Sequence, residues 1–147
     1  MKKTVIITGG NKGIGLDIVR VFSKSNYQVF VGARENTNEL GELGENVHFV
    51  KTDVRKEIDH QNIIKVAIKK TGRLDTYINN AGFSAWRSIE NIDNEFLNNI
   101  LDTNLKGVFW GCKSALSIMD SGSSIINISS IAGKRGSSNN SAYCASK

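Results

Sequence analysis

The sequence predicts an α/β fold, a doubly wound parallel sheet, and three observations carry that prediction. Short apolar runs without alternation recur along the chain, as strands buried on both faces require. Segments with apolar residues at helical spacing lie between them. Glycines or Asn-Gly turns close the runs where a strand must give way to a helix. Strands that alternate with helices build βαβ units, and right-handed crossovers place helices on both faces of the sheet.

Thr4-Val5-Ile6-Ile7 is the first such run, followed at once by Gly9 and Gly10. Ile14, Ile18, Val19 and Phe22 then recur at helical spacing. Tyr27 to Val31 reads as a second strand that ends at Gly32, and 35–43 as a short polar helix or turn. Val47 to Val50 reads as a third strand. Ile63, Ile64, Ala67 and Ile68 make 58–70 an amphipathic helix that stops near Gly72, where glycine suits a helix end. Leu74 to Ile78 is the fourth strand, closed by Asn79-Asn80-Ala81-Gly82. Phe83 and Trp86 come next, at the edge of a cleft or in a core or interface. A long helix is expected over about 93–119, broken near Asp102, with at least one of Phe109 and Trp110 in the core. Ser123 to Ile128 is the fifth strand, 133–140 is rich in Gly, Ser and Asn, and Ser141 to Lys147 begins a helix.

A length of 147 residues suits one domain, 1–147, without repeats or linkers. Apolar residues at 39% and charged residues at 22% fit a globular protein. No apolar run approaches the roughly 20 residues that span a bilayer. Val5-Ile6-Ile7 is too short for a signal peptide, so no membrane association and a cytoplasmic location are expected. The net charge of +5 is spread along the chain, without the interleaved aromatics of a single-strand binder, which argues against nucleic acid. Cys112 and Cys144 form no disulfide framework, and with His48 and His60 they give no metal pattern.

Thr8-Gly9-Gly10-Asn11-Lys12-Gly13-Ile14-Gly15 stands where the first strand turns into the first helix. Glycines there permit a tight turn and let backbone N–H groups approach a pyrophosphate, while the helix N-terminus adds partial positive charge. The reading is a Rossmann-type dinucleotide turn; taken alone, it could also be a glycine turn with no ligand. The glycines run Gly9-x-x-x-Gly13-x-Gly15, which departs from G-x-G-x-x-G.

Four further motifs come in order: Asn79-Asn80-Ala81-Gly82, Asn104 within Asp102-Thr103-Asn104-Leu105, Ser130 after the fifth strand, and Tyr143-x-x-x-Lys147. Ser130 lies 13 residues before Tyr143. On these five motifs the chain resembles the short-chain dehydrogenase/reductase family from end to end.

The resemblance implies an NAD(P)-dependent oxidoreductase that interconverts a ketone and a secondary alcohol. It assigns Tyr143 the role of general acid/base and Ser130 the hydrogen bond to the substrate oxygen, with Ser129 the competitor. Lys147 would hold the nicotinamide ribose, and Asn104 would anchor a water in the proton relay or serve the structure alone. The chemistry is sensible, because free tyrosine is a poor base at neutral pH. One helical turn on, the Lys147 ammonium shares its face and favours the phenolate. The resemblance also places Gly9, Asn11, Lys12, Gly13, Ile14, Gly15, Asp53, Val54, Asn80, Ala81 and Gly82 against the cofactor, joined by Tyr143 and Lys147. In the family the Asp53 position holds the adenine amine; an Asp there is equally a helix N-cap, and both roles could hold. Asn79 would tie strands together.

The end of the second strand discriminates between the two nicotinamide cofactors. Ala33 stands where an acid would hold the ribose of NAD, and Arg34 is next to it, with Lys12 on the glycine turn. Two cations favour NADP(H); NAD(H) stays possible, with Glu35 close by. Similar proteins include 3-oxoacyl-carrier-protein reductases, carbonyl reductases, and sugar and steroid dehydrogenases. They commonly form homodimers or homotetramers through the long helix. They also continue past the Tyr-x-x-x-Lys motif with further strands, a substrate loop and a Pro-Gly motif, and this chain has no proline. The expectation is the N-terminal part of a subunit, truncated after the fifth strand, with that strand left as an apolar edge. The alternative is a cofactor-binding fragment or regulatory module of the same fold that does no chemistry.

Overall fold

The computed structural model describes residues 2–147. Its strands are β1 Lys3–Thr8, β2 Tyr27–Ala33, β3 Val47–Lys51, β4 Thr76–Asn79 and β5 Ser124–Asn127. Its helices are α1 Gly13–Ser23, α2 Asn38–Gly41, α3 Glu57–Thr71, α4 Asn94–Leu101, α5 Gly107–Leu116 and α6 Ser141–Ser146. The strands form one parallel sheet in the order β3-β2-β1-β4-β5, with Val5 of β1 opposite Val29 on one side and Thr76 on the other.

Successive side chains of a strand point to opposite faces, so β1 serves two cores. Val5 and Ile7 meet Leu16 and Val19 of α1 and Leu40 of α2. Ile6, together with Phe30, meets Ile63, Ile64 and Ala67 of α3 and Ala115 of α5. Each fully buried aliphatic side chain here contributes about 1.5–3 kcal/mol. Helix ends obey local chemistry. Asp93 caps α4 by accepting from the Phe96 N–H at 2.7 Å, and Gly72 ends α3 in the left-handed region with φ 75°.

Several boundaries and facings differ from those read in the sequence. The expected break near Asp102 is a π turn, Asp102–Lys106, that changes register without leaving the helix. An extra residue in the helical cycle rotates every later position by about 100°, so a stripe projected straight through it faces wrongly. The expectation that at least one of Phe109 and Trp110 lies in the core fails. Phe109 is 62% exposed and Trp110 is half-buried, the two rings packing edge to face at 5.4 Å. Ile14 is 70% exposed and lies off the buried stripe of α1, which runs through Leu16 and Val19 with Ile18 and Phe22 at its margin. The segment after β2 holds only the single turn α2, and β4 starts two residues later than read. Ile126 of β5 is 42% exposed at an edge of the sheet.

The topology itself positions a site. From β1 the connections run outward to β2 and β3, then cross back to β4. A crevice therefore opens beyond the C-terminal ends of β1 and β4, at the topological switch point where open α/β sheets bind ligands.

Candidate functional site

A cavity of about 710 Å³ occupies that crevice. All the residues from Gly9 to Gly82 that the sequence pointed to for a cofactor line it: Gly9, Asn11, Lys12, Gly13, Ile14, Gly15, Arg34, Asp53, Val54, Asn80, Ala81 and Gly82. Its floor requires glycine at two positions. Gly9 has φ 65°, and a Cβ there would stand 2.8 Å from the Ala81 Cα; at Gly15 a Cβ would stand 2.2 Å from the Gly9 carbonyl oxygen. Lys12, the residue before α1, is extended and no side chain caps the helix, so the first-turn N–H groups keep their hydrogen-bonding capacity.

The two strand ends are laced together. The buried Thr8 hydroxyl accepts from the Asn80 and Ala81 N–H groups, both at 3.1 Å, and donates to the Ile78 carbonyl at 3.3 Å. The Asn80 amide donates back to the Thr8 and Gly9 carbonyls at 2.9 and 3.1 Å. Asn79 joins β4 to β5 by donating to Asn127 Oδ1 at 2.9 Å. On the opposite rim, the Asn11 amide donates to the Glu35 carbonyl at 3.1 Å, which ties the glycine turn to the segment after β2. Lys12 and Arg34, both exposed, thus share one rim, whereas Ala33 is buried.

The Asp53–Val54 wall is held from α3 and α4. The Asp59 carboxylate of α3 accepts the Asp53 N–H at 2.8 Å, and His60 bonds the Val54 carbonyl at 2.9 Å. Arg55 grips the Asp53 carboxylate, which holds it below the ordinary carboxylate range, and also reaches Asn99 of α4 at 3.2 Å. Asp53 is no N-cap: Lys56 occupies that position of α3, and the Asp53 carboxylate accepts the Arg55 N–H at 3.1 Å instead. Arg55, Asn99, Asp59 and His60 belong to no motif in the sequence; only the nearness of Arg55 to Asp53 hinted at the first.

Asn104 and Lys147 stand beyond Gly82, with Tyr143 one helical turn before Lys147; neither these three nor Ser130 lines the cavity itself. A Cβ at Gly82 would be 3.5 Å from Lys147 Nζ and 3.6 Å from Asn104 Oδ1, so both groups reach one spot on the cavity wall. Lys147 Nζ donates to the Ile128 carbonyl at 3.0 Å and lies 6.0 Å from the centre of the Tyr143 ring; burial pushes its ammonium below the ordinary lysine range. Asn104, buried in the π turn, accepts from the Phe83 N–H and donates to the Phe83 carbonyl and Ser146 Oγ, all at 2.8 Å. Both of its amide hydrogens are therefore engaged within the protein. Ser130 Oγ accepts the Ala132 N–H at 3.1 Å, and the short turn it opens packs on α6. The Ser129 hydroxyl turns to the Lys147 backbone carbonyl at 3.0 Å. Phe83 is 41% and Trp86 69% exposed; Phe83 lines the cavity.

Among the described residues no cluster of three His, Cys, Asp or Glu is placed to hold a metal, and no helix is long and apolar enough to cross a membrane. Residues 3–147 match the family model described as short chain dehydrogenase. The chain belongs to the short-chain dehydrogenase family. Over 99% of its length it is 36% identical to the short-chain dehydrogenase reductase ATA1 of Arabidopsis thaliana, covering 56% of that protein. It is 34% identical to the human 3-oxoacyl-[acyl-carrier-protein] reductase over its whole length and 64% of the relative. A double mutant of a Serratia marcescens short-chain dehydrogenase/reductase superposes with a TM-score of 0.91 at 25% identity, over 99% of this chain and 62% of that one. The chain spans 43 to 64% of the length of the curated relatives it matches.

Proposed function

We propose that residues 1–147 are the dinucleotide-binding and proton-transfer part of an NADP(H)-dependent oxidoreductase that interconverts a ketone and a secondary alcohol. The observation that carries this reading is a crevice whose Gly82 wall backs onto two of the motif residues. The glycine turn forms one wall, Asp53–Val54 another, and Asn104 and Lys147 stand beyond Gly82. The cavity fits the group, since its floor admits no Cβ at Gly15 and the helix end above it is uncapped. Lys12 and Arg34 on the rim beside a buried Ala33 favour the extra phosphate of NADP(H) over the bare ribose of NAD(H).

When bound, the nicotinamide supplies or takes the hydride. The residues manage the proton and the oxygen. Ser130 Oγ already accepts from Ala132, which leaves its own proton to donate to the substrate oxygen. Tyr143 gives its phenolic proton to that oxygen in reduction and takes it back in oxidation. Lys147 stabilises the phenolate, and the Ile128 carbonyl fixes where its ammonium sits. Because the Asn104 side chain is bonded to Phe83 and Ser146, its role is to join the loop after Gly82 to α6. The substrate would be a small carbonyl compound or alcohol, with 3-oxoacyl thioesters first to try given the named relatives. Leu105, Phe109 and Leu116 share one exposed helical face, which supports self-association of the whole protein into a dimer or tetramer.

The test is Tyr143→Phe assayed for NADPH oxidation against a ketone panel. Loss of general acid catalysis should lower turnover by about 10²–10⁴-fold while NADPH binding persists. Undiminished turnover would refute the assigned mechanism.

A further inference from the structure

Beneath the Asp53–Val54 wall lies a buried histidine that the proton transfer leaves unused. His60, in the first turn of α3, is fully buried, as is Tyr77 of β4. His60 Nε2 is 2.9 Å from the Val54 carbonyl oxygen and Nδ1 is 2.7 Å from the Tyr77 hydroxyl. A carbonyl only accepts, so Nε2 carries the proton, Nδ1 is bare, and the Tyr77 hydroxyl donates to it. Burial holds the His60 imidazole below the ordinary histidine range against the pull of the Val54 hydrogen bond and then of Asp59, Glu57 and Asp53, and it raises the Tyr77 phenol. Both rings therefore stay neutral near neutral pH and their donor and acceptor roles do not exchange.

The grip is two-sided. One residue earlier, Asp59 takes the Asp53 N–H, so a single helical turn holds the peptide groups on either side of Asp53–Val54. From the other direction α5 closes on Val54: a Cβ at Gly107 would come within 3.1 Å of its carbonyl oxygen and 3.2 Å of its Cγ2. His60 and Gly107 thus approach Val54 from two sides. Val54 presents a preset backbone to whatever fills that end of the cavity.

We propose that His60, its tautomer fixed by Tyr77, is a positioning residue that sets the Val54 peptide for the adenine end of the dinucleotide. This rests on the dinucleotide reading above. Preorganised backbone groups bind without an ordering penalty, so loosening them weakens the ligand even where no contact to it is removed. The nicotinamide end, held by Tyr143 and Lys147, lies outside this grip.

Calorimetric binding of NADPH and of adenosine 2′,5′-bisphosphate to the full chain, with urea unfolding alongside, tests the inference. Tyr77→Phe keeps the ring and removes only the hydroxyl; His60→Leu removes the donor; His60→Gln restores a side-chain N–H. Tyr77→Phe and His60→Leu should each weaken both ligands by one common factor of about five, the size of one hydrogen bond, and His60→Gln should recover most of it. Should His60→Leu fail to fold, Tyr77→Phe decides. Variants that are less stable yet bind both ligands like the wild type would overturn the inference and leave the pair purely structural. So would a loss for NADPH that adenosine bisphosphate does not share. A wild-type chain that binds neither ligand refutes the dinucleotide reading, and this inference with it.

Discussion

Replacing Thr8 by valine removes one hydroxyl and almost no volume, yet it should cost the fold measurably. That oxygen accepts from the two N–H groups opening the Asn80–Ala81 turn, each at 3.1 Å, and Thr8 is 1% exposed. Valine strands both donors and also frees the Ile78 carbonyl from its long 3.3 Å bond. A buried donor left unsatisfied costs about 1–3 kcal/mol. Asn80 and Ala81 are only half-buried, so each belongs at the low end, and the long bond adds little. The sum is about 2–3 kcal/mol. Urea unfolding monitored by circular dichroism should show a lower midpoint at unchanged slope, since the surface exposed on unfolding is the same. Thr8→Ser, which keeps the oxygen, should lose less than about 1 kcal/mol, the worth of roughly one buried methyl group. A valine variant within about 0.5 kcal/mol of the wild type, the spread of an ordinary surface substitution, would refute the argument that this hydroxyl carries the turn.

The same geometry leads to two further outcomes. Gly15→Ala places a Cβ 2.2 Å from the Gly9 carbonyl oxygen and 2.4 Å from Asn80 Nδ2, so it should abolish NADPH binding in a fluorescence titration; retained affinity would mean the turn is not the phosphate cradle. The second concerns pH. His60 is neutral and buried, with its folded value lowered below the 6.5 of an unfolded histidine. Below that pH the unfolded chain binds more protons than the folded one, so this contribution is full above about pH 6.5 and declines as the pH falls. Urea midpoints between pH 7 and pH 5 should fall more steeply for the wild type than for His60→Leu; equal slopes would contradict a buried neutral imidazole.

The parts of this site that the sequence displayed are those whose chemistry is local. Thr8 to Gly15 can be read as a strand–turn–helix junction because the glycines, the flanking apolar run and the helical spacing all lie within one short window. Tyr143 and Lys147 are legible for the same reason, being one helical turn apart. What escaped were groups joined only by the fold. His60 and Tyr77 sit 17 residues apart in two segments that look merely amphipathic and merely apolar, and nothing local says that their polar atoms meet. Gly107 resembles any glycine inside a helix until Val54 is seen against it. Phe109 and Trp110 depart from the expected core because which side of α5 meets the sheet is decided by the fold and not by the size of its aromatics.

The lacing between Thr8 and the Asn80–Ala81 turn also bears on how the molecule comes into being. Every hydrogen bond that closes the glycine turn against β4 spans 70 residues or more of chain. During synthesis β1, α1 and β2 emerge first, with the glycines of the turn already in place but with one wall missing. That wall arrives only with residues 76–82, once the long crossover through α3 has been made. Contacts of such separation form slowly, and until they do one edge of β1 stays unpaired. A nascent chain stalled before β4 would thus carry the full glycine motif and no pocket. On the proposed function, ligand capture on the ribosome waits for the second half of the chain, and a bound dinucleotide would report completed topology rather than template it.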